Sequence, residues 1–303
     1  MPYPSAGAGA TRFIDPDILS RISNLEMVAR HVVEGFITGL HDSPYRGFSV
    51  EFLGYHPYIP GDDPMRIDWK LYARSDRLFV KEYEDETNTC CHILLDMSRS
   101  MGYSSNRITK FQYGAVLAAS LAYFMIRQRD RVGLYCFDDR IRERIPAKSS
   151  KGHLVSILHS LENLAPGAVT AMGRPFHELA DTIRKRGIVV IVSDLLDDPD
   201  TILSGLKHFR FAGNDVILFH IMDPAEVTFR FPDIVELEDM ETAEKIMVMS
   251  DEARDSYLAN LAAFQTRLRT ECGLMKIDYS VLETSKPLDF ALFQYLSRRS
   301  ARK

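Results

Sequence analysis

The sequence lacks the features that mark membrane, secreted and zinc-binding proteins. Its longest nearly apolar run extends from Tyr113 to Ile126, which is shorter than the roughly 20 residues of a membrane-spanning helix. Residues 1–11 contain no basic stretch followed by an apolar core, so no secretory signal is predicted. Only four cysteines occur, none in a CxxC pair, which argues against a disulfide framework and a structural zinc site. We therefore expect free thiols and a reducing, cytoplasmic environment.

An excess of basic charge is also missing. The chain carries 37 Lys and Arg against 42 Asp and Glu, so no strong attraction to nucleic acid or anionic lipid is expected. A Gly-rich phosphate loop of the P-loop type, internal repeats and low-complexity segments are absent from the sequence. The hydrophobic fraction of 46% is that of an ordinary globular chain. A length of 303 residues predicts one enlarged domain or a domain with an appended module.

The chain is predicted to divide into three segments. A short disordered N-terminus, a helix with a small β-rich module, and a larger α/β domain follow one another at residues 1–11, 12–88 and 89–303. In the second segment, the first helix is predicted to begin at Asp15, with Pro16 in its first turn, and to end near Gly39.

The third segment alternates between apolar strands and helices. Nearly continuous apolar runs such as Cys91–Leu95 and Ile188–Ser193 are typical of buried parallel strands. A helix from Lys110 to Arg129 is apolar on most of its faces, so it is expected to be buried. This alternation predicts an α/β fold with a Rossmann-like, doubly wound, mostly parallel sheet that helices cover on both faces.

A hairpin insertion is predicted inside this α/β domain, at about residues 225–250. Its first strand is expected at Thr228–Phe231 and its second strand at Ile246–Met249.

Oxygen-bearing side chains follow two of the predicted strands. Asp96, Ser98 and Ser100 form a D-x-S-x-S sequence after one buried strand, and Asp194 ends another, with Thr170 in a loop between them. Ligands of open α/β sheets bind beyond the carboxyl ends of the strands. Hard oxygen donors without His or Cys favour Mg²⁺ or Mn²⁺ over zinc. The pattern predicts a divalent cation site whose last coordination position accepts an Asp or Glu from a partner protein.

These residues resemble a known metal site. Asp96, Ser98, Ser100, Thr170 and Asp194 are similar to the metal-ion-dependent adhesion site of von Willebrand factor type A domains. The match at Thr170 is the loosest, because Gly-Ala-Val-Thr stands where Gly-Gly-Thr or Gly-x-Thr is more usual.

A second block of sequence resembles the bacterial family called domain of unknown function fifty-eight. The block comprises the run from Tyr58 to Trp69, the pair Ala73-Arg74 and the run from Leu78 to Glu82, and the resemblance extends from about residue 46 to residue 298. It implies a von Willebrand factor type A-like domain. Members of that family are often encoded beside MoxR-type AAA+ ATPases. The resemblance therefore also implies a metal-dependent interaction module. Such a module would be an adaptor or assembly factor that works with a MoxR-type ATPase or its client.

Two other functional classes are compatible with the same residues. The chain could be a Mg²⁺-dependent phosphoryl-transfer hydrolase with Asp96 as nucleophile. Against this, Ser98 stands where such enzymes carry a second carboxylate, although Lys110 or Lys185 could approach in the fold. Alternatively, the chain could have a purely structural role with a metal site that no longer functions.

The balanced charges around Trp69, in residues 44–86, have two interpretations. They could form a recognition surface or an ion-pair network at an interdomain seam, and the balance of charge favours the seam. Asp197, Asp198 and Asp200 are expected to form a solvated loop and a helix cap, not additional metal ligands.

Overall fold

The computed structural model describes the chain in several stretches. They comprise residues 24–41, 54–59, 72, 78–82, 90–167, 172–183, 186–229, 231, 234–238, 245–288 and 291–292. The predicted disordered segment, the predicted helix start at Asp15, and Trp69 lie outside these residues. The division of the chain at residues 88 and 89 therefore stays a prediction.

In the described residues, a helix and a pair of strands precede the main sheet. Helix α1 comprises Leu25–His41, within the stretch predicted to be helical except for its last two residues. Strands β1 (Gly54–Pro57) and β2 (Phe79–Glu82) pair antiparallel, so residues distant in sequence form the described part of the predicted β-rich module.

Strands and helices then alternate along the chain. The strands are β3 (Cys90–Asp96), β4 (Arg131–Phe137), β5 (Ile141–Lys148), β6 (Ile188–Ser193), β7 (Asp215–Met222), β8 (Ile234–Glu238), β9 (Lys245–Met249) and β10 (Asp278–Glu283). The helices are α2 (Lys110–Arg127), α3 (Lys151–Asn163), α4 (Gly173–Thr182), α5 (Pro199–Phe211), α6 (Pro224–Thr228) and α7 (Ser250–Leu274).

A six-stranded sheet forms the centre of the fold. Its strands lie in the order β10-β7-β6-β3-β4-β5, and every neighbouring pair is parallel except β4 and β5. The predicted α/β class, a doubly wound and mostly parallel sheet, is confirmed. In this order β3 lies directly beside β6, although about a hundred residues separate them in the chain.

Helices cover both faces of the sheet. One hydrophobic layer contains residues of α1, α2 and α3 and includes Ile93 and Leu95 of β3. The other contains residues of α4, α5 and α7 and includes Leu94. Successive side chains of a strand point to opposite faces. Strands β3 and β6 are buried along their whole length for this reason, which explains their unbroken apolar sequences.

Helix α2 is buried on most of its surface, as predicted. Thr109 caps its N-terminus: the Thr109 side chain accepts from the N–H of Gln112, and the Gln112 side chain accepts from the N–H of Thr109. This capping box fixes the first turn of the helix, and it makes Lys110 the first helical residue.

The hairpin is present, but the prediction of its first strand at Thr228–Phe231 is wrong. Strand β8 pairs antiparallel with β9, and Thr228 instead ends the short helix α6. The helix forms because Asp223 and Glu226 make a capping box around Pro224.

All four cysteines lie in described residues, are buried and form no disulfide. In the parts of the chain that the structure describes, no helix is both long and apolar enough to cross a membrane.

Helix α4 precedes strand β6 and helix α5 follows it. The close approach of these two helices depends on Gly205. A Cβ atom at this position would lie 2.7 Å from Cβ of Phe176, too close for either helix to stay in place. We expect Gly205→Ala to lower the free energy of unfolding by about 1–3 kcal/mol, measured by urea denaturation.

The matched control is Gly152→Ala in the exposed first turn of α3. No atom lies within 4 Å of an added Cβ there, so stability should stay the same or rise by no more than about 1 kcal/mol. Equal effects of the two substitutions would contradict the packing described for α4 and α5.

Candidate functional site

The carboxyl ends of β3 and β6 meet at one edge of the sheet. Leu95 pairs with Val192 in the parallel register, which places Asp96 beside Ser193. The Ser193 hydroxyl donates to Oδ2 of Asp96 at 2.6 Å and accepts from the N–H of Leu195 at 2.9 Å. Asp194, the next residue, therefore leaves the sheet at the same edge as Asp96.

The D-x-S-x-S segment folds tightly around Asp96. Oδ1 of Asp96 accepts from the N–H of Ser98 at 2.8 Å, and the hydroxyls of Ser98 and Ser100 lie 3.0 Å apart. Arg99–Gly102 form a turn of 3-10 helix. The side chains of Asp96, Ser98, Ser100 and Asp194 are all buried. The structure thus brings four of the five predicted ligands to one edge of the sheet.

Thr170, the fifth predicted ligand, lies outside the described residues. The residues that flank 168–171 both contact this edge. The N–H of Gly167 donates to the carbonyl of Met97, and the N–H of Met172 donates to Oδ2 of Asp197 at 2.7 Å.

Asp197, Asp198 and Asp200 have the loop and capping roles expected of them. Asp197 contacts Met172, as described above. Asp198 caps α5 by accepting from the N–H of Thr201, and Asp200 forms an ion pair with Arg267.

Asp96 is held in an unfavourable electrostatic environment. Burial and then the charge of Asp194 raise the pKa of Asp96 to about 7, although hydrogen bonds from Ser193 and Ser98 lower it. A cation beside the two carboxylates would remove this repulsion. Two carboxylates and two hydroxyls, all hard oxygen donors, fit Mg²⁺ or Mn²⁺. Within the described stretches, no group of three or more His, Cys, Asp or Glu side chains could hold a metal, so a cation bound here would also need hydroxyls and water as ligands.

Lys110 also belongs to this site. The sequence suggested it only as a lysine that could approach Asp96 in a phosphoryl-transfer hydrolase. Its Nζ lies 2.8 Å from Oδ2 of Asp194 and 2.6 Å from Oε1 of Glu226, and its side chain is 1% exposed. Burial lowers the pKa of Lys110, but the charges of Asp194 and Glu226 outweigh burial and raise the pKa overall. Lys110 is therefore a buried cation shared by two carboxylates.

The end of β7 also belongs to this edge. Asp223 follows β7 and accepts from the N–H of Ser105 at 2.9 Å, and also from the Ser105 hydroxyl. Oε2 of Glu226 accepts from the N–H of Asp223 at 2.8 Å, while Oε1 holds Lys110. These contacts join the loop after the D-x-S-x-S segment to helix α6.

Two sequence signals could have revealed this extension of the site. The D-x-x-E sequence from Asp223 to Glu226, directly after an apolar strand, is a capping box at a third strand end. Lys110 is a cation at the positive end of a helix dipole, a position that is unfavourable without a carboxylate nearby.

Comparison with known proteins identifies one family. The sequence profile of the family described as "Protein of unknown function DUF58" matches residues 54–267. The uncharacterized proteins Rv1480 of Mycobacterium tuberculosis and Mb1516 of Mycobacterium bovis are each 26% identical over 233 residues, which are 75% of this chain and 72% of each relative.

Two solved structures superpose on much of this chain but share little sequence with it. The conserved hypothetical protein BatB from Bacteroides thetaiotaomicron superposes with a TM-score of 0.47 at 16% identity, covering 70% of this chain and 99% of BatB. The SpRpn10 VWA domain superposes with a TM-score of 0.38 at 13% identity, covering 68% of this chain and 94% of that domain.

The raised pKa of Asp96 predicts how the metal-free protein responds to pH. Below the unfolded pKa near 3.8 the Asp96 proton is bound in both states. As pH rises from there to about 7, the unfolded chain releases this proton while the folded protein keeps it, so stability is lost until the folded carboxyl also ionises. Asp96→Asn removes this cost. In EDTA, we expect the variant to gain stability over the parent between pH 4 and pH 8, on the order of 1–3 kcal/mol at pH 8.

Melting temperatures at intervals across this pH range measure the effect. The exposed Asp255 of α7 provides the control, and Asp255→Asn should follow the parent at every pH. A constant difference between Asp96→Asn and the parent from pH 4 to pH 8 would contradict the environment assigned to Asp96.

Proposed function

The chain belongs to the family of proteins of unknown function DUF58, and we propose that it is a protein-interaction module that captures its partner through a divalent cation. Mg²⁺ or Mn²⁺ would be held by Asp96, Ser98, Ser100 and Asp194, with Thr170 as the fifth ligand. No catalytic residue is assigned, because the proposed role of the site is binding.

One observation carries this proposal: two buried carboxylates, Asp96 and Asp194, end adjacent parallel strands, and the charge of one raises the pKa of the other. An arrangement of this kind is costly unless positive charge compensates it. The buried hydroxyls of Ser98 and Ser100, only 3.0 Å apart, add neutral oxygen donors of the type that hard cations prefer.

The protein's own groups would organise the site. The hydrogen bonds from Ser98 and Ser193 orient the two oxygens of Asp96, and the buried loop excludes bulk water from them. A bound divalent cation supplies positive charge and coordination positions that the few protein ligands do not fill. An Asp or Glu of a partner is the chemical group that suits such a position.

We propose that the partner is a MoxR-type AAA+ ATPase or a client of such an ATPase, and that the chain acts as an adaptor or assembly factor in the cytoplasm. Support for this partner comes from the family alone, whose members are often encoded beside such ATPases. The acidic partner residue is supported by the chemistry of the site.

Metal dependence is tested by thermal stability and by partner capture. Saturating Mg²⁺ or Mn²⁺ should raise the melting temperature, because a ligand at 100 times its Kd stabilises the folded state by about 2.7 kcal/mol. Capture of a candidate ATPase should be lost in EDTA and restored by the metal. Asp96→Ala should abolish both the metal-induced stabilisation and the capture while the protein stays folded.

The control for this experiment is Asp255→Ala on the exposed surface of α7, which should behave as the parent in both assays. Unchanged capture by Asp96→Ala, or capture that EDTA does not affect, would exclude the proposed mechanism. Absence of any metal-induced stabilisation would favour a structural role for the chain.

A second candidate function is favoured by the position of Lys110. A phosphoryl-transfer hydrolase needs a nucleophilic carboxylate, a cation and a lysine close together, and Lys110 does reach this edge of the sheet. In that reaction Asp96 would attack the phosphorus and release the alcohol, and water would then cleave the acyl phosphate. However, Lys110 contacts Asp194 and Glu226, and Ser98 occupies the position of the second carboxylate.

Release of nitrophenol from p-nitrophenyl phosphate with Mg²⁺ distinguishes the two functions. We expect no turnover above that of the Asp96→Ala variant, because Ser98 stands at the position where such enzymes carry the carboxylate for acid and base catalysis. Turnover by the parent that disappears in Asp96→Ala would instead establish the hydrolase.

A further inference from the structure

The buried ammonium group of Lys110 lies where a divalent cation would compete with it. Oδ2 of Asp194 is 2.8 Å from Nζ of Lys110, and Asp194 is one of the two carboxylates of the proposed cation site. The lysine is 1% exposed, so water does little to screen its charge from a cation bound beside Asp194. Two positive centres would then share one carboxylate.

Glu226 gives Lys110 a second partner. Oε1 of Glu226 lies 2.6 Å from Nζ of Lys110, and the Glu226 side chain is 21% exposed on the short helix α6. The capping contact of Oε2 with the N–H of Asp223 holds this carboxylate in place. Lys110 can therefore keep a charged partner even if a cation takes over Asp194.

The charges at this edge do not balance without metal. Lys110 contacts Asp194 and Glu226, while the charge of Asp194 also acts on the buried Asp96, so Lys110 neutralises only part of the negative charge of these carboxylates. Removal of Lys110 would leave Asp194 and Glu226 without this positive charge, and Asp194 would attract a divalent cation more strongly.

We propose that Lys110 sets the cation affinity of this site, because its ammonium group neutralises Asp194 when no metal is bound and weakens the binding of a divalent cation there. This inference rests on the proposed metal-dependent function. Glu226 moderates the effect, since it draws the ammonium group away from Asp194. Lys110 is thus a positioning and affinity-setting residue and not itself a ligand.

Two variants with opposite expected effects test the proposal, with Mn²⁺ as the probe and free Mn²⁺ counted by electron paramagnetic resonance. Lys110→Met should tighten Mn²⁺ binding by about tenfold, because it removes a nearby positive charge. Glu226→Gln should weaken binding several-fold, because Lys110 then pairs with Asp194 alone. Gln can keep the capping contact with Asp223, so this variant preserves helix α6.

The matched control is Lys148→Met, which makes the same substitution at an exposed position paired with Val132, at the opposite end of the sheet. It should bind Mn²⁺ as the parent does. Weaker or unchanged binding by Lys110→Met would overturn the proposal and make Lys110 a structural clamp on Asp194. If Lys110→Met does not fold, Glu226→Gln alone tests the proposal. Unchanged or tighter Mn²⁺ binding by Glu226→Gln then overturns it.

The outcome also separates this inference from the proposed function. Mn²⁺ binding by the parent with no change in Lys110→Met overturns the role of Lys110 alone. A second outcome is that Lys110→Met binds Mn²⁺, the parent does not, and the double variant Lys110→Met with Asp96→Ala does not. This outcome supports the role of Lys110 and overturns metal-dependent function of the parent. No binding by any of these proteins overturns both.

Discussion

The candidate site depends on the adjacency of two parallel strands that both end in aspartate. Because β3 and β6 are neighbours in the sheet, Asp96 and Asp194 reach the same edge and share one buried environment. The loss of hydration on burial, and then the charge of Asp194, raise the pKa of Asp96 to about 7. The surrounding hydrogen bonds from Ser98 and Ser193 offset only part of this cost. The proposed cation binding rests on this constraint more than on any single ligand.

The remainder of the fold keeps that edge in place. Helices on both faces bury the strands completely, so the backbone at the carboxyl ends has little freedom to separate the two aspartates. The capping box at Thr109 sets the first turn of α2 and delivers Lys110 into the edge. The contacts of Ser105 with Asp223 then attach α6, which carries Glu226. Packing, capping and charge thus act on the same few side chains.

The network of Asp194, Lys110 and Glu226 distinguishes this site from a simple cluster of acidic ligands. A buried lysine needs charged partners, and here both partners come from other elements of the fold. The metal-free protein can therefore fold with an internal cation close to the proposed metal position. This arrangement connects the proposed cation site to α6, the helix that directly precedes the β8–β9 hairpin.

The sequence by itself determined the alternation of strands and helices and the position of Asp96, Ser98, Ser100 and Asp194 at strand ends. Those features follow from local signals: unbroken apolar runs for buried strands, helical periodicity, and polar residues where a run stops. Only the tertiary structure decided that Lys110 pairs with Asp194 and Glu226, because these three residues are distant in the chain and meet through the order of β3, β6 and β7. The misplaced hairpin strand has a related cause. Thr228 and Phe231 have strand-like side chains, but the capping box of Asp223 and Glu226 stabilises a helix that includes Thr228.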